Sequence, residues 1–546
     1  MTTRSPKIKL DDATARKKLL SLLDSLHSRR DFLKIMGMGL GYSALATTLP
    51  ACSSGGDGGG GNIGTPPPPD PSLPAASQEY SILKRTSFGV HRDALSAIQN
   101  MGIDAYLEQQ LNYQAIDESV LENTISSLFP ETTKSAVELL ADFPDNAGIV
   151  AQQMAMATQY RQIFSERQLY EVMVEFWSDH FNIHLLNGLG PTLKPEDDRQ
   201  VIRAHALGNF RNLLGASAHS PSMLFYLDNF YNLASAPNEN YARELMELHT
   251  LGVDGGYTEE DVKEVARCFT GWSIRFPGDA SGDYGTFNFV PLVHDNNAKV
   301  VLGNTIAGGG GENDGEQVLD ILATHPSTAR FIATKLCRRF ISDNPDAATV
   351  DVVAAAFTSS NGDIKTTLRA LFATLAFRDT SDLKFCRPTE FFAGTIRALA
   401  PDTAYPADNG QLFYFAQSVL GQLPFFWPTP DGYPDTQDYW ASTGGLLNRW
   451  RLSFLSYAPN IQAINVFDVD YASLLNGANT FTTIVDALAD SILMRPLLSE
   501  DRAILIDWLV TLSGAGENDV LPSGVPEQAA PGVAAILISS AYFQLR

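Results

Sequence analysis

The spacing of apolar and charged residues in Pro237–Trp272 constrains the fold most, because it predicts two amphipathic helices joined by a tight turn. Pro237 suits the first turn of a helix, where the N–H that proline lacks would be unpaired in any residue. Three residues that accept positive φ predict the end of the first helix, namely Gly252, Gly255 and Gly256. A helical hairpin is therefore the expected local unit.

The second helix of this hairpin is predicted to begin with a capping box, because Thr258 precedes Asp261 by three residues. On a wheel of about 100° per residue, the first helix carries one polar arc of roughly 140°. That arc consists of Glu239, Asn240, Arg243, Glu244 and Glu247. His249 falls on the apolar side, so we expect it in the core.

Two interpretations are open for the polar arc. A solvated helix face would carry the ion pair Glu239–Arg243, which at this spacing is worth only about 0.2–0.5 kcal/mol. A functional site would instead use two or three acids and an arginine to line a cleft. Composition favours the solvated face.

The helical period continues over most of the chain after Tyr80. Thr286–His294 alternates in part, Asp295-Asn296-Asn297 suits a turn, and Lys299–Leu302 is predicted to be the returning strand. We therefore expect a mainly α fold, a large multi-helix domain with a small β-hairpin insertion. This domain is expected over residues 77–546, with a C-terminal helical subdomain from residue 456 or so as an option.

The helix predicted over residues 165–184 places a histidine on its buried side. The residues that share this side within about 100° are Leu169, Met173, Phe176, Trp177 and His180. His180 is either a core histidine bonded to a backbone carbonyl or a carboxylate, or a group that reaches an internal site. His180 and His184 have the spacing of helical zinc ligands, but no glutamate follows His180 as that motif requires.

Net charge separates the front of the chain from its body. The whole chain carries −23, yet residues 1–51 contain more Lys and Arg than Asp and Glu. The body is therefore strongly acidic, which argues against nucleic-acid backbones and anionic membrane surfaces as partners. Besides Cys52 the cysteines are Cys268, Cys337 and Cys386, so a disulfide framework is not expected to hold the fold.

The front of the chain predicts export. Ser28-Arg29-Arg30-Asp31-Phe32-Leu33-Lys34 matches the twin-arginine pattern, and a weakly apolar run follows at Ile35–Ala51. Residues 1–51 are therefore expected to form a twin-arginine signal peptide. Residues 52–76 are expected to be a flexible linker rich in Gly and Pro. The expected location is the periplasm or the cell envelope.

The sequence leaves two options for the cleavage site at the end of this signal peptide. Leu49-Pro50-Ala51-Cys52 resembles a lipoprotein cleavage box, and a lipid anchor at Cys52 would explain the glycine-rich tether that follows. The alternative is cleavage after Ala46 without lipidation. Twin-arginine export carries folded proteins, which permits a cofactor, a metal or a partner to be carried along, but the sequence itself assigns none.

Several motifs follow one another along the chain in a recognisable order. They are Arg85-Thr86-Ser87-Phe88-Gly89, Phe176-Trp177-Ser178-Asp179-His180-Phe181, Asn238–Gly252, Tyr257–Val262 and Thr270-Gly271-Trp272. Together they resemble the domain-of-unknown-function 1800 family of mostly exported bacterial proteins, from about Ser77 onward. Ser178 departs from this pattern, because many members carry a histidine there.

This resemblance implies no reaction, because the family has none assigned to it. It implies a partner, since members are often encoded beside another exported family that is similar to sulfatases and alkaline phosphatases. Apart from a lipid anchor at Cys52, no membrane contact is expected.

Two hypotheses for function follow. The first is an envelope hydrolase acting on polymeric or sulfated carbohydrate. In it Glu244 or Glu247 would act as base or metal ligand, Arg243 would bind an anionic group and His180 would assist proton transfer. The second is a non-catalytic binding or assembly protein that holds an exported partner. We favour the second, because no specific catalytic pattern is present.

Overall fold

The computed structural model describes residues 73–144, 147–279, 281–399, 409–457 and 469–546. The predicted signal peptide, the candidate anchor Cys52 and nearly all of the predicted linker lie outside these residues. The segment just after residue 456, where the sequence offers a subdomain boundary, also lies outside them.

The described residues are mainly α-helical, as the sequence predicts, and they form two compact units. The first unit contains residues 77–397, 421–440 and Arg546. The second contains residues 73–76, 398–399, 409–420, 441–457 and 469–545 among those described. No helix in this part of the chain is both long and apolar enough to cross a bilayer.

Helices are numbered in chain order. Those of the first unit are α1 Gln78–Thr86, α2 Arg92–Met101, α3 Ile103–Leu111, α4 Ser119–Leu128, α5 Ala136–Asp142, α6 Gly148–Phe164, α7 Gln168–His180, α8 Gly190–Asp197, α9 Phe210–Ala218, α10 Pro221–Tyr226, α11 Asn240–Glu244, α12 Glu259–Cys268, α13 Asn313–Ala323, α14 Pro326–Phe340, α15 Ala347–Ser359, α16 Ile364–Phe372, α17 Leu375–Arg378, α18 Pro388–Leu399, whose last two residues belong to the second unit, and α20 Gln437–Trp440. Those of the second unit are α19 Asn409–Leu420, α21 Thr443–Tyr457, α22 Tyr471–Leu475, α23 Phe481–Leu488, α24 Ser499–Ser513, α25 Val525–Ser539 and α26 Ala541–Gln544.

Three helices continue directly into a wider π-helical turn. These turns are Asp198–Arg203 after α8, Leu245–Thr250 after α11 and Ala489–Leu493 after α23. π-Helical turns are rare, and within α-helices they occur often at functional sites. The turn after α11 falls within the charged hairpin that the sequence singles out.

The predicted helical hairpin is present, with shifted ends. Its first helix begins at Asn240 rather than at Pro237, and just before it the side chain of Asn238 accepts a hydrogen bond from the Asn240 N–H at 2.9 Å. Gly252 and Gly256 have φ of 84° and 85°, as predicted for the turn. Positive φ is not found at Gly255, so that part of the prediction is wrong.

The capping box at the start of α12 is confirmed. Thr258 Oγ1 accepts from the N–H of Asp261 at 3.2 Å, and the Asp261 carboxylate accepts from the N–H of Thr258 at 2.9 Å. Two orphan donors of the first helical turn are thereby satisfied. A local sequence signal was sufficient here because both partners lie within one turn.

The structure has a strand within each of the two predicted segments and two further strands that were not predicted, and the predicted pairing is wrong. Strand β1 (Trp272–Ile274) pairs antiparallel with β2 (Phe287–Phe289), and β3 (Lys299–Val301) pairs with β4 (Asn304–Ile306). The turn between β3 and β4 has positive φ at Leu302 (48°). A two-residue turn of this kind closes a hairpin more tightly than the predicted turn at Asp295-Asn296-Asn297. The insertion is therefore two small hairpins.

Helix α7 of the first unit is buried on both sides. Its apolar side contains Leu169, Met173 and Trp177, all fully buried. Its other side carries polar residues, and Glu171 and Ser178 there are only 4% and 8% exposed. A helix buried all round must find partners for its polar side chains within the protein.

Candidate functional site

His180 ends helix α7 inside the core of the first unit. Its Nε2 lies 3.0 Å from the carbonyl oxygen of His249, and its Nδ1 lies 3.2 Å from Nζ of Lys335. A lysine ammonium only donates hydrogen bonds, so we assign Nδ1 as the acceptor and the Nε2–H as the donor to the carbonyl. Burial, and then the charge of Lys335, hold the pKa of His180 well below its usual range. The ring is therefore neutral.

His249 is buried as the wheel predicts, with 1% of its surface exposed. Its ring packs against Phe181 with centroids 5.0 Å apart. Its Nε2 has no hydrogen-bond partner among the described residues. Burial, and then the charge of Lys335, lower the pKa of His249 to about 3. The two histidines thus form a neutral, packed pair beside one partly buried lysine, Lys335.

Arg243 lies in a partly exposed ion-pair cluster. Its Nη1 and Nη2 each lie 2.8 Å from a carboxylate oxygen of Glu259 on α12, and Nη2 lies 3.2 Å from Glu239. The predicted pair Glu239–Arg243 is therefore confirmed. The hydrogen bonds with Glu259 are the largest cause of a raised pKa for Arg243. An anionic ligand would have to displace a bidentate carboxylate to reach this guanidinium.

Glu244 and Glu247 are half-buried beside this cluster. Burial, and then the charge of Glu247, raise the pKa of Glu244, with a further contribution from Asp431. The hydroxyl of Tyr257 donates to Glu247 Oε2 at 3.4 Å. Asp431 comes from the loop 421–440, so this loop completes the acidic surface beside α11.

Aromatic side chains border these acids. The Tyr226 hydroxyl donates to the carbonyl of Pro428 at 2.8 Å, and Trp427 Nε1 donates to Asp431 Oδ1 at 2.9 Å. The rings of Trp427 and Tyr439 lie 5.6 Å apart, and Tyr439 is 50% exposed. We call this region the acidic aromatic surface, comprising Tyr226, Glu244, Glu247, Trp427, Asp431 and Tyr439.

The four predicted site residues therefore lie in two environments. Arg243, Glu244 and Glu247 share a partly exposed face, as their wheel positions suggest. His180 lies in the core, where it bonds to Lys335 and to the backbone of His249. The catalytic roles assigned to these residues from the sequence remain predictions.

His180 and His184 do not lie on one helix, so the spacing of helical zinc ligands does not apply to them. Helix α7 ends at His180, so His184 lies beyond it. Within the described ranges, no group of three or more His, Cys, Asp and Glu side chains could hold a metal ion.

A polar stripe on α7 was not among the predicted site residues. It consists of Glu171, Glu175, Ser178 and Asp179. The three acids are spaced at i, i+4 and i+8, which was visible in the sequence. Such a stripe usually faces solvent, so the signal alone does not reveal that the helix is buried on both sides.

Guanidinium groups from distant segments neutralise this stripe. Arg203 binds both oxygens of Glu171 at 2.9 and 3.1 Å, and Arg387 binds Asp179 at 2.8 Å. Asp179 nevertheless has a pKa raised to about 7, because burial outweighs the attraction of Arg387 and because Glu175 adds repulsion.

The network continues from Arg387 to Glu390 at the start of α18. The Arg387 N–H donates to Glu390 Oε2 at 2.8 Å, while Arg339 and Arg546 lie 3.0 and 3.2 Å from the Glu390 carboxylate. Although burial opposes ionisation, Arg546, Arg339 and Arg387 hold the pKa of Glu390 at about 2. Residues far apart in sequence thus share one buried ionic network.

A small cavity lies against the polar stripe. Its volume is about 30 Å³, and it is lined by Thr158, Gln162, Glu171, Val174, Glu175, Ser178, Asp179, Thr389, Gln422, Pro424, Phe425 and Tyr433. The loop 421–440 forms one wall. This loop approaches α7 closely, because a Cβ at Gly432 (φ 73°) would lie 2.1 Å from the carbonyl oxygen of Asp179.

Comparison with known protein families confirms the resemblance drawn from the motifs. The model of a family described as "Protein of unknown function (DUF1800)" matches residues 81–545. Neither the comparison with curated proteins nor that with solved structures gives a match. The matched range includes α7, the charged hairpin and the loop 421–440.

The buried neutral state of His249 predicts a dependence of stability on pH. Its pKa is about 3 in the folded protein against an ordinary 6.5, so below 6.5 the unfolded chain binds a proton that the folded protein does not. The folded protein therefore keeps this contribution to its free energy of unfolding above pH 6.5 and loses it as the pH falls toward 3. Urea unfolding should show the wild type losing about 2 kcal/mol more than His249→Leu between roughly pH 6.5 and 4.5. Parallel pH profiles would contradict this assignment.

Proposed function

We propose that this chain, which belongs to the DUF1800 family of proteins of unknown function, is an exported cell-envelope protein that binds a partner protein through the acidic aromatic surface. The proposal of export rests on the twin-arginine pattern at residues 28–34 and on the tether-like composition that follows it. The proposal of binding rests on the geometry of the first unit.

The observation that carries this proposal is the separation of the candidate residues. Three carboxylates and three aromatic side chains meet on a partly exposed surface, whereas the histidine needed for proton transfer is neutral and buried. Tyrosine and tryptophan with a polar edge are typical of protein interfaces. The surface is therefore equipped for recognition, and it does not depend on His180.

The chemistry of the surface indicates the kind of partner. Glu244, Glu247 and Asp431 give it negative charge, and the chain as a whole carries −23. A complementary partner would present a basic segment, whose charges would accelerate encounter and fix its orientation. An exported partner similar to sulfatases and phosphatases, which the family resemblance implies, is the first class to examine.

A second candidate function has one observation in its favour. Glu244 has a raised pKa beside the carboxylates of Glu247 and Asp431, and glycosidases use two carboxyl groups, one of which is a general acid with a raised pKa. In this function Glu244 would be the general acid of an envelope hydrolase acting on carbohydrate, and Trp427 or Tyr439 would stack on a sugar ring.

The export proposal predicts where the protein is found when its signal peptide is altered. Replacing Arg29 and Arg30 by lysine should leave the protein in the cytoplasm, because the twin-arginine route reads both guanidinium groups. Cell fractionation with an antibody against the folded body measures this. The matched control replaces Arg4 and Arg16 by lysine, outside the motif, and should leave export unchanged. Normal export of the Arg29 and Arg30 variant would contradict the proposal.

The binding proposal predicts that charge reversal on the surface releases the partner. In natively exported protein, Glu244→Lys should reduce crosslinking to one exported partner at least about tenfold, because like charges then face each other. Asp379→Lys makes the same charge change at an exposed acid outside this surface and should leave the crosslink intact. Mass spectrometry of the crosslinked band identifies the partner.

A third variant, Glu244→Gln, helps to separate the two candidate functions. Loss of glycan turnover in Glu244→Gln, with crosslinking unchanged, would favour the hydrolase. Equal crosslinking by the Glu244→Lys and Asp379→Lys variants would contradict the docking role of this surface.

A further inference from the structure

A buried lysine and a buried aspartate meet beside the second small hairpin. Lys299 is the first residue of β3, and Asp314 lies in the first turn of α13. Lys299 Nζ lies 2.5 Å from Asp314 Oδ2, and both side chains are 0% exposed. Removing two full charges from water is costly, and such a pair often contributes nothing to stability. The pair therefore calls for a chemical explanation.

One oxygen of this carboxylate has no donor. Asp314 Oδ1 is buried and has no hydrogen-bond partner among the described residues. Gly310 covers this oxygen so closely that a Cβ there would lie 2.1 Å from it. A buried carboxylate without donors is unfavourable, whereas the carbonyl oxygen of an amide carries no full charge and is less costly to bury. The surroundings of Asp314 thus suit an amide better than a carboxylate.

His294 provides a base beside the pair. Its Nδ1 lies 2.8 Å from the carbonyl oxygen of Thr270, which can only accept, so in the neutral ring the hydrogen is on Nδ1. Its Nε2 is then the unprotonated nitrogen, and it lies 3.2 Å from Asp314 Oδ2. His294 is 4% exposed, so bulk water has little access to this contact. Nε2 can therefore take a proton from one atom of the pair and return it to another.

The lysine nitrogen is within reach of the carboxyl carbon. Asp314 Cγ is one bond away from Oδ2, so Lys299 Nζ lies at most about 3.7 Å from that carbon. Reacting atoms held roughly 3–3.5 Å apart react as if they were present at very high concentration. A small side-chain adjustment is sufficient to bring the two atoms to that distance.

We propose that Lys299 and Asp314 are joined by an intramolecular isopeptide bond, which the folded protein forms by itself. Proton transfer from the lysine ammonium to Oδ2 gives a free amine and a carboxylic acid. The amine nitrogen attacks Cγ, and His294 Nε2 takes one proton from that nitrogen and passes it to the hydroxyl at Oδ2. The Cγ–Oδ2 bond then breaks, water leaves, and Oδ1 remains as the amide carbonyl. No oxidant or other reactant is required.

The bond gives this part of the fold a covalent crosslink. It ties β3 to α13, and β3 contacts α12 through the N–H of Val300, which donates to Glu264 at 2.9 Å. The cysteines of the described residues are free, so they supply no crosslink of their own. This inference does not depend on the partner or on the activity proposed above.

Tryptic mapping of the purified wild-type protein tests the proposal. In a chain without the bond, trypsin cuts after Arg275, Lys299 and Arg330 and releases residues 276–299 and 300–330 as two peptides. Trypsin does not cut after an acylated lysine. The bond therefore predicts a single peptide of residues 276–330 that is lighter than its sequence by the mass of one water molecule. The intact protein should show the same loss.

A second buried pair provides a matched control in the same digest. Lys194 Nζ also lies 2.5 Å from Asp197 Oδ2, with side chains 0% and 3% exposed. In that pair the other carboxylate oxygen accepts from Ser220 Oγ at 2.6 Å. Both residues lie in the peptide of residues 168–199, because trypsin does not cut before Pro195. This peptide should have its full mass.

Two variants test the roles of the residues. Lys299→Arg keeps the charge but replaces the amine by a guanidinium, so the protein should have its full mass and be cut after position 299. His294→Gln keeps both reacting groups and should slow formation of the bond at least about tenfold. The ratio of joined to separate peptides in freshly synthesised protein measures this rate, with the wild type as reference.

Three results would overturn the proposal. Full mass of the wild type, with cleavage after Lys299, would mean that the pair is only an ion pair. Loss of one water with cleavage after Lys299 retained would place the dehydration elsewhere, as in a cyclic imide at Asp314-Gly315. Formation of the bond at the wild-type rate in His294→Gln would contradict the proton transfer assigned to His294.

Discussion

The ion pair between Asp179 on α7 and Arg387 at the start of α18 is the contact on which the arrangement of the first unit depends. Its atoms lie 2.8 Å apart, with the Arg387 side chain buried and the Asp179 side chain largely buried. Taking two charges out of water costs several kcal/mol each, so such a pair is stable only when its geometry and its further hydrogen bonds offset that penalty. Here the further interactions form a network that extends through Glu390 to Arg339 and Arg546.

This network explains how α7 can be buried on both sides. Its apolar side packs through Trp177, whose Nε1 donates to the carbonyl of Ala206 at 2.9 Å. Its polar side is neutralised by guanidinium groups that the fold brings from far along the chain. The loop 421–440 closes over that side at Gly432, where only glycine leaves room for the Asp179 carbonyl. The same loop then carries Trp427 and Asp431 to the surface, so the interior network and the proposed docking surface share one segment.

Local features of this fold could be predicted from the sequence, and features that join distant segments could not. The capping box at Thr258 and the pair Glu239–Arg243 were predicted because each involves residues within four positions. The pairing of β1 with β2 was missed, because a register between strands depends on tertiary contacts. The contact of His180 with Lys335 could not be predicted either, since Lys335 lies 155 residues further along the chain. A histidine on an apolar helix face could therefore be placed in the core, but its protonation could not be derived.

A double-mutant cycle on Asp179 and Arg387 tests the central structural claim most directly. The free energy of unfolding is measured by urea titration for the wild type, Asp179→Asn, Arg387→Met and the double variant. The buried network predicts that each single variant is strongly destabilised and that the two changes are coupled by about 2 kcal/mol or more. A coupling energy within about 0.5 kcal/mol of zero, as solvent-exposed pairs give, would contradict this account.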